Sequence, residues 1–150
     1  MNKSKCILLG LVVGAIAYVI KVIAWVKISA YLPKHPKITH EMTEAEIEKI
    51  TITIQFFSIF EHLVAASVMA IIVYFLVSIC KIKTSALFVI TSISTLLCIY
   101  FFNVINSFGS DVFTWVFIPG ILLSCIMLGF SLVAPNMFKN ENAANGSDAS

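Results

Sequence analysis

The stretch CILLGLVVGAIAYVIKVIAWV, residues 6–26, decides the fold class because it is almost entirely apolar and contains a single charged side chain, Lys21. Backbone N–H and C=O groups find no water inside a lipid bilayer, so a segment that crosses it must pair them within a helix. About 20 apolar residues are enough for one crossing. The stretch therefore predicts a membrane-spanning helix.

The start of the chain also has features of a signal peptide. MNKSK is a basic leader, and Ala15-Ile16-Ala17 resembles a cleavage site. However, the apolar run continues for nine residues beyond Ala17, which is longer than a signal peptide requires. We therefore expect an uncleaved first span, with cleavage after Ala17 as the alternative.

Three further apolar segments, at residues 54–79, 86–108 and 112–134, are long enough to span a bilayer. Charged residues make up 12% of the chain and the mean hydropathy is +0.98, whereas soluble domains contain about 25% charged residues. Short connections make consecutive helices antiparallel. We expect an all-α integral membrane protein, a four-transmembrane-helix antiparallel bundle over residues 1–138, with a disordered polar tail at 139–150.

The connection between the first two spans, residues 27–53, is the one long loop. Thr43 with Glu46 three residues later forms a capping box, which predicts a short amphipathic helix over residues 44–51. The basic KIKT turn at 81–84 favours the cytoplasm, so we expect both termini there and this loop outside. The loop also contains charged residues that form a candidate epitope for a protein partner: Lys34, Lys37, Glu41, Glu44 and Glu48.

Polar side chains inside the spans cluster in the outer half of the predicted bilayer. Lys21 lies about 8 Å from the outer end of the first span and Glu61 about 10 Å into the second, at 1.5 Å per residue. Both are costly in lipid unless paired. The expected cluster consists of Lys21, Glu61, His62, Asn103 and Asn106. We consider three roles: an ion pair that fixes helix register, a lysine that reaches outward to water, or a polar cavity that binds an ion, a proton or a headgroup.

Small residues four apart predict where helices pack closely. Gly10 and Gly14 share one stripe of the first span with Lys21, which indicates that this stripe faces another helix. Comparable pairs occur in the second and fourth spans. The predicted packing positions are Gly10, Gly14, Ala66, Ala70, Gly120 and Ser124.

No motif points to catalysis, a cofactor or a metal: the sequence has no HExxH, no glycine-rich phosphate loop and no CxxC. No basic patch suggests nucleic acid. All ten basic residues are lysine, which fits an AT-rich, bacterial genome. We therefore expect a small bacterial inner-membrane protein, not an enzyme, that binds another membrane protein as an accessory, immunity or exclusion protein. The alternative is a homo-oligomeric ion- or proton-coupled transporter or channel subunit that uses the polar cluster.

Overall fold

A computed structural model of the protein describes residues 2–31, 42–108 and 117–147, and within these ranges the chain forms four α-helices and no strand. They are α1 (Lys3–Tyr31), α2 (Glu44–Ile79), α3 (Ala86–Phe108) and α4 (Phe117–Ser147). Each contains a segment long and apolar enough to cross a membrane. The all-α fold class with four candidate spans is therefore confirmed.

The first and third helices follow the predicted segments closely. The bounds of α3 coincide with the predicted span at 86–108, and α1 extends beyond the predicted 6–26 at both ends. The beginning of the predicted fourth span, residues 112–116, lies outside the described residues. Pro119 falls in the first turn of α4 as described, where the missing N–H of proline interrupts no intrahelical hydrogen bond.

The predicted separate helix over residues 44–51 is instead the first part of α2. The Glu46 carboxylate accepts hydrogen bonds from the backbone N–H and the hydroxyl of Thr43, at 2.9 and 2.8 Å, so the helix begins at the predicted cap. Neither glycine nor proline follows before Ile79. Thr51 and Thr53 donate their hydroxyls to carbonyls of their own helix and leave it unbroken. Nothing in this stretch therefore ends one helix and starts another.

The fourth helix also continues beyond its predicted end. Its backbone is helical through Pro135 and on to Ser147, although the sequence predicts a disordered tail from residue 139. Pro135 removes one backbone hydrogen bond. The following KNENAAN segment contains lysine, glutamate and alanine, which have high helix propensity, so its polarity alone does not prevent a helix.

The most extensive packing joins helices that are not consecutive, α1 with α3 and α2 with α4. Ser85 contacts Cys6, and Lys21 contacts Tyr100, and both pairs are 79 residues apart. The constant offset means that α1 and α3 run in the same direction. In contrast, the Asn136 amide contacts Thr84 just before α3, while Gly129 faces Ile93 within α3, so residue numbers rise along α3 as they fall along α4.

The buried apolar core lies between the helices and ends at a definite level. Its members are Ala17, Met69, Val73, Val77, Phe88, Leu96, Leu128 and Leu132. Lys21 is the last buried residue of α1, and Glu61 is the first of α2. Ionisable side chains therefore form the boundary between the packed core and the part of the bundle beyond it.

Candidate functional site

Three of the five residues predicted for the polar cluster lie at this boundary. Lys21 and His62 are each 3% exposed, and Glu61 is 6% exposed. They belong to α1 and α2, which pack on each other. Whether the Lys21 ammonium pairs with the Glu61 carboxylate stays a prediction, but both groups are buried at the same end of the core. Burial of this degree excludes a lysine that reaches outward to bulk water.

Lys21 donates a hydrogen bond to Tyr100, a residue outside the predicted cluster. Its Nζ donates to the Tyr100 hydroxyl at 2.9 Å and lies 4.3 Å from the centroid of the same ring. The Tyr18 ring meets Tyr100 edge-on, with centroids 6.1 Å apart. One tyrosine thus offers the ammonium both an oxygen acceptor and the negative face of an aromatic ring. Tyr100 anchors Lys21 within the bundle.

Asn103 and Asn106, in contrast, are not in this buried cluster. Both are exposed on α3, and the Asn103 amide donates to the carbonyl of Ile99 in its own helix at 2.9 Å. The buried stripe of α3 passes instead through Ser92, Leu96 and Tyr100, at a spacing of four. Asn103, three residues after Tyr100, lies close to the same helical face, but it is nearly one turn beyond the level of Lys21 and Tyr100, past the end of the packed core.

His62 is enclosed between α1 and α4. The Trp25 ring lies nearly parallel to the imidazole, with centroids 6.1 Å apart and an interplanar angle of 7°. A Cβ added at Gly120 on α4 would come within 2.8 Å of the imidazole carbons Cγ and Cδ2. Gly120 therefore makes room for this ring. Lys21 is close enough to interact electrostatically with His62.

The Nδ1 atom of His62 is buried and has no hydrogen-bond partner within the described part of the chain. A buried polar atom without a partner costs free energy, so such an atom in a native structure requires an explanation. An imidazole beside an ammonium, a phenol and a carboxylate is also a set of groups that can hold or pass on a proton. This combination makes the cluster the candidate functional site.

The predicted glycine stripe of α1 packs against hydroxyl-bearing residues of α3. A Cβ on Gly10 would lie 2.8 Å from the Thr91 Cβ, and one on Gly14 would lie 2.5 Å from the Ser92 carbonyl oxygen. The Thr91 and Ser92 hydroxyls donate to carbonyls of α3 itself. The hydroxyls are therefore satisfied within α3, and the absent side chains of Gly10 and Gly14 let the two helices approach closely.

The remaining predicted packing residues lie on α2 and α4. Ala66, Ala70 and Ser124 are buried, and the Ser124 hydroxyl donates to the Gly120 carbonyl at 2.7 Å. Small side chains on both helices keep the α2–α4 pair close below His62. The structure thus places all six predicted packing residues in the interior, Gly120 against the His62 ring.

The candidate epitope is only partly within the described residues. Glu44 and Glu48 are exposed on the first turns of α2, whereas Lys34, Lys37 and Glu41 lie outside the described ranges. Among the described residues, no three His, Cys, Asp or Glu side chains group closely enough to hold a metal ion, and the four cysteines are free thiols. The polar cluster and the exposed start of α2 are the two features that a function can use.

Comparison with known protein families, with curated proteins and with solved structures finds no match to this chain.

Proposed function

We propose that the chain is a four-span integral membrane protein that acts by binding another membrane protein, as an accessory, immunity or exclusion protein does. The exposed first part of α2, residues 44–60, which we call the α2 arm, is the proposed contact surface. The proposed setting is the inner membrane of a bacterium. The helices alternate in direction across the bilayer, with both termini in the cytoplasm and the polar start of the α2 arm outside.

The length of α2 supports this arrangement. Its 36 residues correspond to about 54 Å at 1.5 Å per residue, whereas the hydrocarbon core of a bilayer is about 30 Å thick. The polar start of the helix, which contains Glu44 and Glu48, is the part that extends beyond the lipid. The KIKT turn at the other end of α2 contributes two lysines, which favours the cytoplasm for that end.

The observation that carries the proposal is that α2 has no buried residue before Glu61. The α2 arm adds a continuous helix surface beyond the packed core, with carboxylates at its start and apolar side chains such as Ile52 and Phe56 exposed further along. Exposed apolar groups next to charges are typical of surfaces that bind proteins. Two exposed carboxylates favour a partner with basic residues near the membrane surface.

A photocrosslinking residue at Thr51, on the exposed α2 arm, tests this function in membranes of the native host. We expect one adduct of defined mass larger than two copies of the chain. Its yield should fall in Glu44→Gln/Glu48→Gln, which removes two negative charges. The control Asn2→Lys/Ser4→Lys changes net charge equally at the opposite end and should leave the yield unchanged. Glu46 is retained because it caps the helix. Equal yields in both variants, or no adduct, would contradict the proposal.

The Nδ1 of His62, which has no hydrogen-bond partner among the described residues, favours a second candidate, an ion- or proton-coupled transporter or channel subunit. Below the cluster the interior is filled by packed apolar side chains such as Met69, Phe88 and Leu128. A path would therefore have to form between copies of the chain in a homo-oligomer. Proton flux into liposomes containing the purified protein, lost in Glu61→Gln and kept in Asn103→Ala, would favour this candidate. A crosslinked adduct of twice the chain mass would also support it.

A further inference from the structure

The end of the bundle opposite the polar cluster contains a second candidate site, between α2 and α4. A pocket of about 390 Å³ opens beside the last turn of α2, and Ser78, Lys81 and Asn136 contribute polar side chains to its lining. Lys81 is the charged residue among those that line it. Hydrogen-bonding groups and one ammonium together suit an anionic group better than an apolar one.

This pocket continues into an apolar groove. A second concavity, of about 310 Å³, follows the seam between α2 and α4, with Ala70, Phe75, Phe130 and Ala134 among its lining residues. Tyr74 lines both the pocket and the groove, which joins them. Small residues and aromatic rings together make up most of its lining. A slender apolar chain fits such a groove.

The dimensions agree with one half of a bilayer. Ser67 lines the far end of the groove and Lys81 lines the pocket. The 14 positions between them along the chain correspond to about 21 Å at 1.5 Å per residue, and a bilayer with its headgroups is about 40–45 Å thick. The polar pocket therefore lies at headgroup level when the groove lies in one leaflet.

The backbone conformation at Lys81 is one that is unfavourable for a lysine. Lys81 has φ of 49°, the left-handed conformation that glycine adopts most easily. It follows the C-cap Cys80, and its N–H donates to the Ser78 carbonyl while the N–H of Ile82 donates to that of Val77. This is the Schellman arrangement, in which glycine is the usual residue. A lysine here places an ammonium beside the pocket that glycine could not supply.

We infer that the pocket and groove between α2 and α4 bind one anionic phospholipid, with its phosphodiester at Lys81 and one acyl chain along the groove. The inference rests on the membrane insertion in the proposed function, and not on the α2 arm. The Lys81 ammonium selects an anionic headgroup, and Tyr74, which lines both the pocket and the groove, joins the headgroup site to the acyl-chain site. Basic pockets between spans on the cytoplasmic side are a recurring mode of lipid recognition.

The test measures lipid binding to the full chain, purified in a neutral detergent, by native mass spectrometry and by the thermal unfolding midpoint. Phosphatidylglycerol should bind about fivefold more tightly than phosphatidylcholine with the same chains, and should raise the midpoint more, as expected for one surface lysine. Inorganic phosphate should leave the midpoint unchanged because it cannot occupy the groove. Equal binding of the two lipids would overturn the inference.

Two matched pairs of variants locate the site. Lys81→Gln should lose the preference for phosphatidylglycerol, while Lys83→Gln in the same turn, which does not line the pocket, should keep it. Ser67→Leu should fill the groove and weaken the binding of both lipids, while Ser94→Leu, on an exposed face of α3, should leave their binding unchanged. Equal losses in both lysine variants would mean diffuse attraction and overturn the site.

Carbonate extraction of native membranes separates this inference from the proposed function. A wild-type chain released by carbonate would contradict membrane insertion itself. A chain that stays in the membrane but shows no lipid preference would contradict the lipid site alone.

Discussion

The approach of α1 to α3 makes Gly14→Ala the most direct test of the fold. A Cβ at this position would lie 2.5 Å from the Ser92 carbonyl oxygen and 2.7 Å from the Thr95 Cβ. The first of these is backbone, which cannot rotate away, so α1 and α3 must separate. Overpacking typically costs about 1–3 kcal/mol, and replacing a helical glycine with alanine returns about 1 kcal/mol. Because the contact is with backbone, we expect a net loss of about 1–2 kcal/mol.

The same substitution at Gly129 is the control. Its added Cβ would meet the Ile93 Cδ1 at 3.4 Å, an ordinary contact. Gly129→Ala should therefore keep the propensity gain and stabilise the protein by up to about 1 kcal/mol. Unfolding free energies in mixed micelles, measured by far-UV circular dichroism during a denaturing-detergent titration, compare the variants. A Gly14→Ala protein at least as stable as the wild type would refute the close approach of α1 and α3.

Three further predictions use the same measurement. Lys21→Met and Tyr100→Phe should each destabilise the protein by about 1–3 kcal/mol, since each leaves a buried polar partner unsatisfied. The double variant should cost less than the sum of the two single variants, and additive costs would show that the two residues do not interact. Lys81→Gly should stabilise the detergent-purified chain by about 1 kcal/mol because glycine adopts positive φ without strain; a loss would mean that the lysine side chain stabilises the turn. Gly120→Ala should destabilise by displacing the His62 ring, and an unchanged free energy would contradict that packing.

The number and approximate position of the helices are readable from the sequence because apolar length alone determines them. Residues 86–108 match α3 at both ends since polar residues in the sequence bound the apolar run. The burial of Lys21 also follows from local pattern, because it shares a stripe with Gly10 and Gly14. Helical periodicity places residues of one helix on a common face, and small residues identify the face that packs.

The partner of Lys21 could not be predicted in the same way. Tyr100 reaches it because α3 packs parallel to α1 at an offset of 79 residues, and that offset depends on contacts such as Gly14 with Ser92. Apolar patterning of α3 contains no signal of this register. The placement of Asn103 and Asn106 in the buried cluster was predicted because a polar residue in an apolar helix suggests an inward face. Both are exposed instead, and Asn103 satisfies part of its amide within its own helix.

Side-chain size explains why the polar cluster lies at the end of the core. Below it, Gly10 and Gly14 let the backbones of α1 and α3 approach, and apolar side chains fill the interior. At Lys21 the same two helices are joined instead through a long side chain and the Tyr100 hydroxyl.

At the level of the cluster, α4 accommodates the His62 imidazole because position 120 is glycine. Beyond this level no described residue of α2 is buried, so the cluster marks the end of the buried interior along this helix. The two candidate functions therefore draw on one continuous helix, because the proposed proton-binding residues Glu61 and His62 and the proposed contact surface of the α2 arm all lie on α2.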